Sequence, residues 1–321
     1  MKAIQKTAVL LFCLALFLGC LQPAASSALD FPTKPILVLN PYSAGGAGDL
    51  EVKALQPTLE RLFGKPITTD YLTTGAGVAA VEKIFEAAPD GYSILYLNSP
   101  AAVISELTED VYYKVLEFDF IQNVSTEYRC IAVLSTSGIK TVNDIIERSR
   151  TQNLSIAHSG IGSSGHLQTI LVEKALGIDL NDVPFAGTSA AKAAFLGGHV
   201  DLWAIDVVST LPQVRSGEIV VVAVNAPERH SSLPDVPTFK ELGYEGVEVS
   251  TSRGFIAPKG LPEDVKRKLI EVFGQAVNSD EMKQYAQRVG TSLNPISGEE
   301  YRAFTENTYR AIKTVADLFK Q

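Results

Sequence analysis

Hydrophobic and polar residues alternate along this chain with two different periods. Short runs rich in Val, Ile and Leu are followed repeatedly by longer amphipathic stretches. Such strand-helix alternation indicates βαβ units and an α/β fold built mainly on parallel sheets. The predicted strands are 36–40, 93–97, 118–124, 130–134, 155–158, 202–205, 220–225 and 254–257. The predicted helices are 49–63, 77–88, 142–150, 165–176, 189–196, 263–278, 280–289 and 299–319.

Two glycine-rich turns each follow a predicted strand and precede a helix. The first glycine loop is residues 41–49, and the second is residues 159–166. Glycines let backbone N–H groups approach a ligand, and a helix points its partial positive end at the same place. We expect positive φ at Gly46 and Gly162, and capture of a small anion between two lobes. Candidate ligand contacts are Tyr42, Ser43, Ala44, Gly45, Gly46, Asp49, Ser159, Gly160, Gly162, Ser163, Ser164 and His166.

The second glycine loop also matches a dinucleotide-binding pattern, G-x-G-x-x-G, through Gly160, Gly162 and Gly165. That pattern requires an acidic residue after the next strand. Here the strand is 183–187, and Asp182 precedes it. We therefore expect no nucleotide cofactor, and no His or Cys spacing suggests a metal site.

Residues 1–28 have the pattern of an export signal. Lys2 and Lys6 precede an apolar run, and small residues follow it. The sequence predicts a periplasmic protein, with lipid attachment at Cys20 as an alternative. Only Cys130 remains after removal of residues 1–28, and we expect it to be a buried apolar residue.

Removal of the signal leaves 293 residues, enough for two domains, with 26 Lys and Arg against 36 Asp and Glu. The resulting net charge of −10 argues against nucleic acid and anionic lipid as partners. An anionic ligand would then be held by local dipoles rather than by a basic surface.

Several segments in order resemble the solute-binding proteins of tripartite tricarboxylate transporters, the Bug or TctC-like family. The resemblance covers essentially all of the predicted mature chain. It rests on both glycine loops and on the segments Gly75-Ala76-Gly77, Pro89-Asp90-Gly91-Tyr92, Val183-Pro184-Phe185-Ala186-Gly187, Leu233-Pro234-Asp235-Val236-Pro237-Thr238 and Ala257-Pro258-Lys259-Gly260-Leu261-Pro262.

The resemblance implies an α/β, two-lobed periplasmic binding protein fold (type II-like) with crossing strands between the lobes. We expect lobe 1 to comprise 31–127 plus 252–321, and lobe 2 to comprise 128–251. The implied function is delivery of a small organic carboxylate to the membrane permease subunits of a tripartite tricarboxylate system. We expect a monomer without catalytic activity.

The resemblance also adds residues to the candidate site. Gly77 lies in a matching segment, Tyr42 is expected to flank the ligand, and Phe185 with Thr188 to line the other wall. Asp206 is placed where the family faces the cleft, which hints at an amino or hydroxyl group on the solute. The first glycine loop departs from the family by having Gly48 before its Asp, where Thr is common.

Several candidates have two interpretations. Asp49, Ser163 and Ser164 either contact the ligand or cap the following helix. His166 is either structural or a pH-dependent contact. Arg253 offers five donors suited to a second carboxylate, but a salt bridge would occupy it equally well.

Two other functions compete with transport. One is a sensory receptor for a carboxylate, which would have the same fold, so the sequence does not separate it from transport. An exported α/β hydrolase is disfavoured because the sequence has no G-x-S-x-G motif. The sequence does not name the solute.

Overall fold

The computed structural model describes residues 30–42 and 44–320, so the predicted export signal and Ser43 lie outside the described residues. The strands are β1 (Ile36–Asn40), β2 (Ile67–Tyr71), β3 (Ser93–Asn98), β4 (Asp119–Leu134), β5 (Ser155–His158), β6 (Asn181–Pro184), β7 (Leu202–Asp206), β8 (Ile219–Asn225) and β9 (Ser250–Ala257). The α-helices are α1 (Ala47–Phe63), α2 (Val78–Phe85), α3 (Ser99–Thr108), α4 (Val142–Ser149), α5 (Ser164–Leu176), α6 (Thr188–Leu196), α7 (Val207–Arg215), α8 (Glu263–Val277), α9 (Asp280–Val289) and α10 (Gly298–Lys313).

The described strands hydrogen-bond in the order β2-β1-β3-β9-β4-β7-β5-β6, with β8 paired to β4. β1 lies between two parallel neighbours, β2 and β3. β5 likewise lies between parallel β6 and β7. Each glycine loop therefore leaves the carboxyl end of the central strand of a parallel group, which is where open α/β sheets bind ligands.

β4 connects the two parallel groups. Its Asp119 to Tyr128 portion pairs with β9, and its Arg129 to Leu134 portion pairs with β7 and β8. The prediction of separate strands at 118–124 and 130–134 was wrong. The polar residues between them, including Ser125 and Glu127, are buried and hydrogen-bonded to other elements, so the strand continues.

Three further elements were not predicted from the sequence: β2, α3 and α7. The start of α3 is capped by Asn98 and carries a proline in its first turn. α7 contains Pro212. The last predicted helix, 299–319, is divided into α10 and a 3₁₀ segment, Ala316–Lys320.

Buried apolar residues form one cluster that includes Phe120 of the first portion of β4 and others that include Ile131 and Ala132 of its second portion. One cluster joins residues of α2, α3, β3 and α10, and another joins residues of α4, β5, α5 and β7. Leu167 of α5 belongs to the first cluster, so the start of α5 packs against α3 and α10. In the part of the chain that the structure describes, no helix combines the length and the apolar character needed to cross a membrane.

Candidate functional site

Asp49 fixes the conformation of the first glycine loop through hydrogen bonds. Its buried Oδ2 accepts hydrogen bonds from the Gly45 N–H at 2.6 Å and from Lys53 Nζ at 2.7 Å. Its Oδ1 accepts one from the Tyr71 hydroxyl at 2.7 Å. Burial raises the pKa of Asp49, but these hydrogen bonds outweigh it and leave the pKa below its usual value. The carboxylate therefore stabilises the loop from within.

Among the described residues, none accepts a hydrogen bond from the amides of residues 47–49 in the first turn of α1. Gly46 is its N-cap residue and makes no side-chain cap hydrogen bond. The amides of an uncapped first turn, together with the helix dipole, form an anion site. The expectation of positive φ at Gly46 was wrong: its φ is −74°, and the left-handed residue is Gly45, with φ of 81°.

Tyr42 fills the space beside this helix start. A Cβ on Gly48 would lie 2.9 Å from Tyr42 Cδ2, so the tyrosine ring occupies the room that a side chain at that position would need. Burial raises the pKa of the Tyr42 phenol. Gly77, with φ of 99°, lies so close to Pro41 that a Cβ would approach it to 2.7 Å. Gly77 is thus required by loop packing.

A small pocket of about 20 Å³, room for a water molecule, lies between Tyr42, Gly77 and Asn98. Nearby, Asn40 at the end of β1 accepts the Tyr42 N–H at 3.0 Å through Oδ1. Its buried Nδ2 has no hydrogen-bond partner among the described residues. Because buried polar groups are nearly always paired, this donor marks a place for a ligand or water.

The second glycine loop uses two of its amides internally. The Gly160 N–H donates to His158 Nδ1, and the Gly162 N–H donates to His166 Nδ1, each at 3.2 Å. Ser163 caps α5, since its Oγ accepts the His166 N–H at 3.2 Å. The Ser164 Oγ is buried without a partner among the described residues.

Two histidines and an aspartate support this loop. His158 and His166 stack with ring centroids 5.1 Å apart, and His158 Nε2 lies 2.7 Å from Asp182 Oδ1. Burial, and then His158, lower the pKa of His166. The side-chain nitrogen and oxygen atoms with which these three residues could coordinate a metal lie within 4.8 Å of one another. Both Nδ1 atoms accept amide hydrogens of the second glycine loop, so the two histidines support that loop through hydrogen bonds.

The remaining predicted residues are more scattered. The half-buried Phe185 packs in an apolar cluster, and its N–H donates to the His158 carbonyl at 3.0 Å. Thr188 is exposed at the start of α6. Ser159 is half-buried and Ala44 is exposed.

Strands β4 and β9 present one polar face between the two loop helices. Ser125 lies opposite Arg253, and Glu127 lies opposite Thr251, so these pairs share a face. Arg129 lies two residues beyond Glu127 on β4 and points to the same side. These five residues are all buried. We refer to them as the polar face.

One arginine of the polar face is paired with the helix of the first loop. Arg253 Nη2 donates to Glu51 Oε1 at 2.9 Å, and Arg253 Nε donates to Glu51 Oε2 at 3.1 Å. Tyr96 and Ser125 also donate to Glu51. Burial raises the pKa of Glu51, but Arg253 outweighs it and the pKa stays below its usual value. Arg253 is thus held in a buried ion pair, with Nη1 unpaired among the described residues.

The other arginine is tied to the helix of the second loop. Arg129 donates to Gln168 Oε1 of α5 at 2.9 Å and to Asp206 Oδ1 at 2.9 Å. Thr251 also donates to Asp206 Oδ1, at 3.1 Å. No described residue donates to Asp206 Oδ2. The predicted cleft residue Asp206 therefore keeps one free carboxylate oxygen.

Glu127 lies between the two arginines. Its Oε1 accepts hydrogen bonds from Thr291 and from the Ser292 N–H. Its Oε2 is buried and has no partner among the described residues. Burial raises the pKa of Glu127 to about 7, against the effect of these hydrogen bonds and of Arg253.

Sequence reasoning missed Glu51, Glu127 and Arg129. The sequence could have indicated the role of Glu51, because this acid adjoins the apolar stripe of α1 that includes Val52 and Leu55. An acidic residue on a buried helix face needs a buried partner. Glu127 and Arg129 gave no such signal, because the polar interval was taken as a break between strands.

A family model described as the tripartite tricarboxylate transporter family receptor matches residues 52–317. The chain belongs to this family. Protein BugT of Bordetella pertussis is 30% identical over 277 residues, 84% of this chain and 83% of that protein.

Solved structures agree with the family assignment. The periplasmic binding protein BugD is 27% identical and superimposes with a TM-score of 0.76 over 90% of this chain and 98% of its own. MatC from Rhodopseudomonas palustris with bound malate is 24% identical. It has the same fold, with a TM-score of 0.76 over 89% of this chain and 100% of its own. The chain therefore has the α/β periplasmic binding protein fold, and its family is one of solute-binding receptors, not enzymes.

Proposed function

We propose that this receptor captures a small organic carboxylate and delivers it to the membrane permease subunits of a tripartite tricarboxylate transporter. The solute would lie between lobe 1 (31–127 plus 252–321) and lobe 2 (128–251). The observation that carries the proposal is the uncapped start of α1 directly after the first glycine loop. A carboxylate there accepts hydrogen bonds from the free amides and interacts favourably with the helix dipole.

Unpaired polar atoms at both glycine loops support a solute site between them. Asn40 Nδ2 lies at the first glycine loop and Ser164 Oγ at the second, and both are buried without described partners. A carboxylate or its bound water satisfies both donors. In the second loop the Gly160 and Gly162 amides already donate to histidine rings. Among the described residues, the amides of Ile161, Ser164 and Gly165 remain as donors for a solute.

The proposal also covers export to the periplasm through the predicted signal, with the protein acting as a monomer. The family assignment and the malate held by MatC support a carboxylate as the solute class.

Thermal-shift measurements with mono-, di- and tricarboxylates test the binding. A solute at a hundredfold excess over its Kd should stabilise the protein by about 2.7 kcal/mol without being consumed. The absence of any stabilising carboxylate would contradict the proposal. Loss of solute uptake in cells that lack this protein, with its restoration by the gene, tests delivery to the permease.

A further inference from the structure

Resting on the proposed carboxylate site, we propose that the solute carries an ammonium group that binds Glu127 and Asp206, so the receptor selects amino carboxylates. Glu127 would then be the residue that determines specificity.

The two loop helices meet the polar face in the same way. Glu51 is the fifth residue of α1 and bonds to Arg253, and Gln168 is the fifth residue of α5 and bonds to Arg129. Four helical steps span about 6 Å, so each helix start lies near its arginine. Glu127 lies between the arginines on the polar face.

The charges at the polar face are unequal. Glu51 matches Arg253, and Asp206 matches Arg129, at 2.9 Å in both pairs. Glu127 is then one carboxylate in excess. A solute ammonium balances it, whereas a second solute carboxylate adds like charge to a buried site.

Unused acceptors point to the same chemistry. Glu127 Oε2 is unpartnered in a residue that is only 2% exposed. Asp206 Oδ2 accepts from no described residue, and both arginines already have acidic partners. Besides burial, the Asp206 carboxylate raises the pKa of Glu127, so the two acids act on each other, and an ammonium offers three donors for their unused oxygens.

Calorimetry with matched solutes tests this inference. Butanoate, 4-hydroxybutanoate, 4-aminobutanoate and succinate differ only at one end, and propanoate, lactate, alanine and methylmalonate form a shorter set that differs only in the group on carbon 2. We expect the amino members to bind at least about tenfold more tightly than their unsubstituted and dicarboxylate counterparts, as charge-assisted hydrogen bonds require.

Glu127→Gln should remove that preference, so that amino members bind no more tightly than their plain counterparts. The matched control is Glu245→Gln, which removes an exposed carboxylate elsewhere. Amino-carboxylate affinity of the wild type should rise as pH passes about 7 and Glu127 ionises, and this rise should be absent in Glu127→Gln.

Equal binding of amino and plain members, tighter binding of dicarboxylates, or a preference that survives in Glu127→Gln would overturn the inference while leaving the carboxylate site intact. Failure of every carboxylate to bind the wild type would overturn both. Circular dichroism of each variant establishes that it is folded.

Discussion

At the residue scale, the candidate site consists largely of side chains whose charges are already neutralised within the protein. Arg253 is the clearest case, because its guanidinium forms two hydrogen bonds with Glu51, which lies 202 residues away in the sequence. A buried ion pair contributes to function by fixing the position of neighbouring groups. It is weak evidence for net stability.

Loss of one partner of this pair should be costly. We expect Arg253→Met to reduce the free energy of unfolding by about 3–5 kcal/mol, since it leaves Glu51 buried without its cation. The double variant Glu51→Met, Arg253→Met should recover most of that loss. Urea denaturation measures both. Arg150→Met, which breaks an exposed pair with Glu147, should cost no more than about 1 kcal/mol.

Glu127 should give the ligand-free protein a distinctive pH dependence. Its folded pKa of about 7 exceeds the usual value of 4.5, so the folded state binds the proton more tightly. Stability is then greatest below about pH 4.5 and falls as the pH rises to 7, by about 3 kcal/mol from this group. Glu127→Gln should abolish that contribution. A decline of the same size in the variant would show that other groups cause it.

At the element scale, the glycines at the helix ends perform different tasks. Gly45 precedes α1 and Gly64 follows it, and both have positive φ with nothing within 4 Å of the place where a Cβ would lie. Gly162 and Gly177, which also have positive φ, flank α5 in the same way. Each helix thus provides its own comparison between a glycine at the proposed site and one remote from it.

Alanine at these four positions separates binding from folding. Gly45→Ala and Gly162→Ala should weaken solute binding, because each perturbs a loop that presents amides. Gly64→Ala and Gly177→Ala should each cost about 1–2 kcal/mol of stability, since an L-residue is strained at positive φ, and leave binding unchanged. Calorimetry and urea denaturation report the two effects. Equal binding by all four variants would argue against both loops as ligand contacts.

At the scale of the whole molecule, β4 links the parallel group containing β1 to the one containing β5. We expect the two groups to rotate about this shared strand when a solute binds between the loops. The proposed lobes would close by such a hinge.

Solution scattering tests that motion. We expect the radius of gyration to fall when a cognate carboxylate is added to protein freed of bound solute. A carboxylate that gives no thermal shift is the control and should leave the radius unchanged. An unchanged radius with the cognate solute would contradict closure, although binding itself would stand.

The sequence by itself determined the elements whose information is local. The bounds of β1, β5 and α9 follow from short apolar runs, flanking glycines and an amphipathic stripe, which need no knowledge of distant residues. The position of both glycine loops after parallel strands, and the membership of the receptor family, were equally readable, because they depend on ordered segments of the chain.

Only the tertiary structure decided how the polar residues are used. The partners of Arg253 and Arg129 come from other elements, and burial of Glu127 turned a predicted gap into the middle of β4. Likewise the Gly160 and Gly162 amides, which local reasoning assigned to a ligand, donate to histidine rings. A side chain's type limits what it can bind, but its partners and its desolvation depend on which distant segments pack around it.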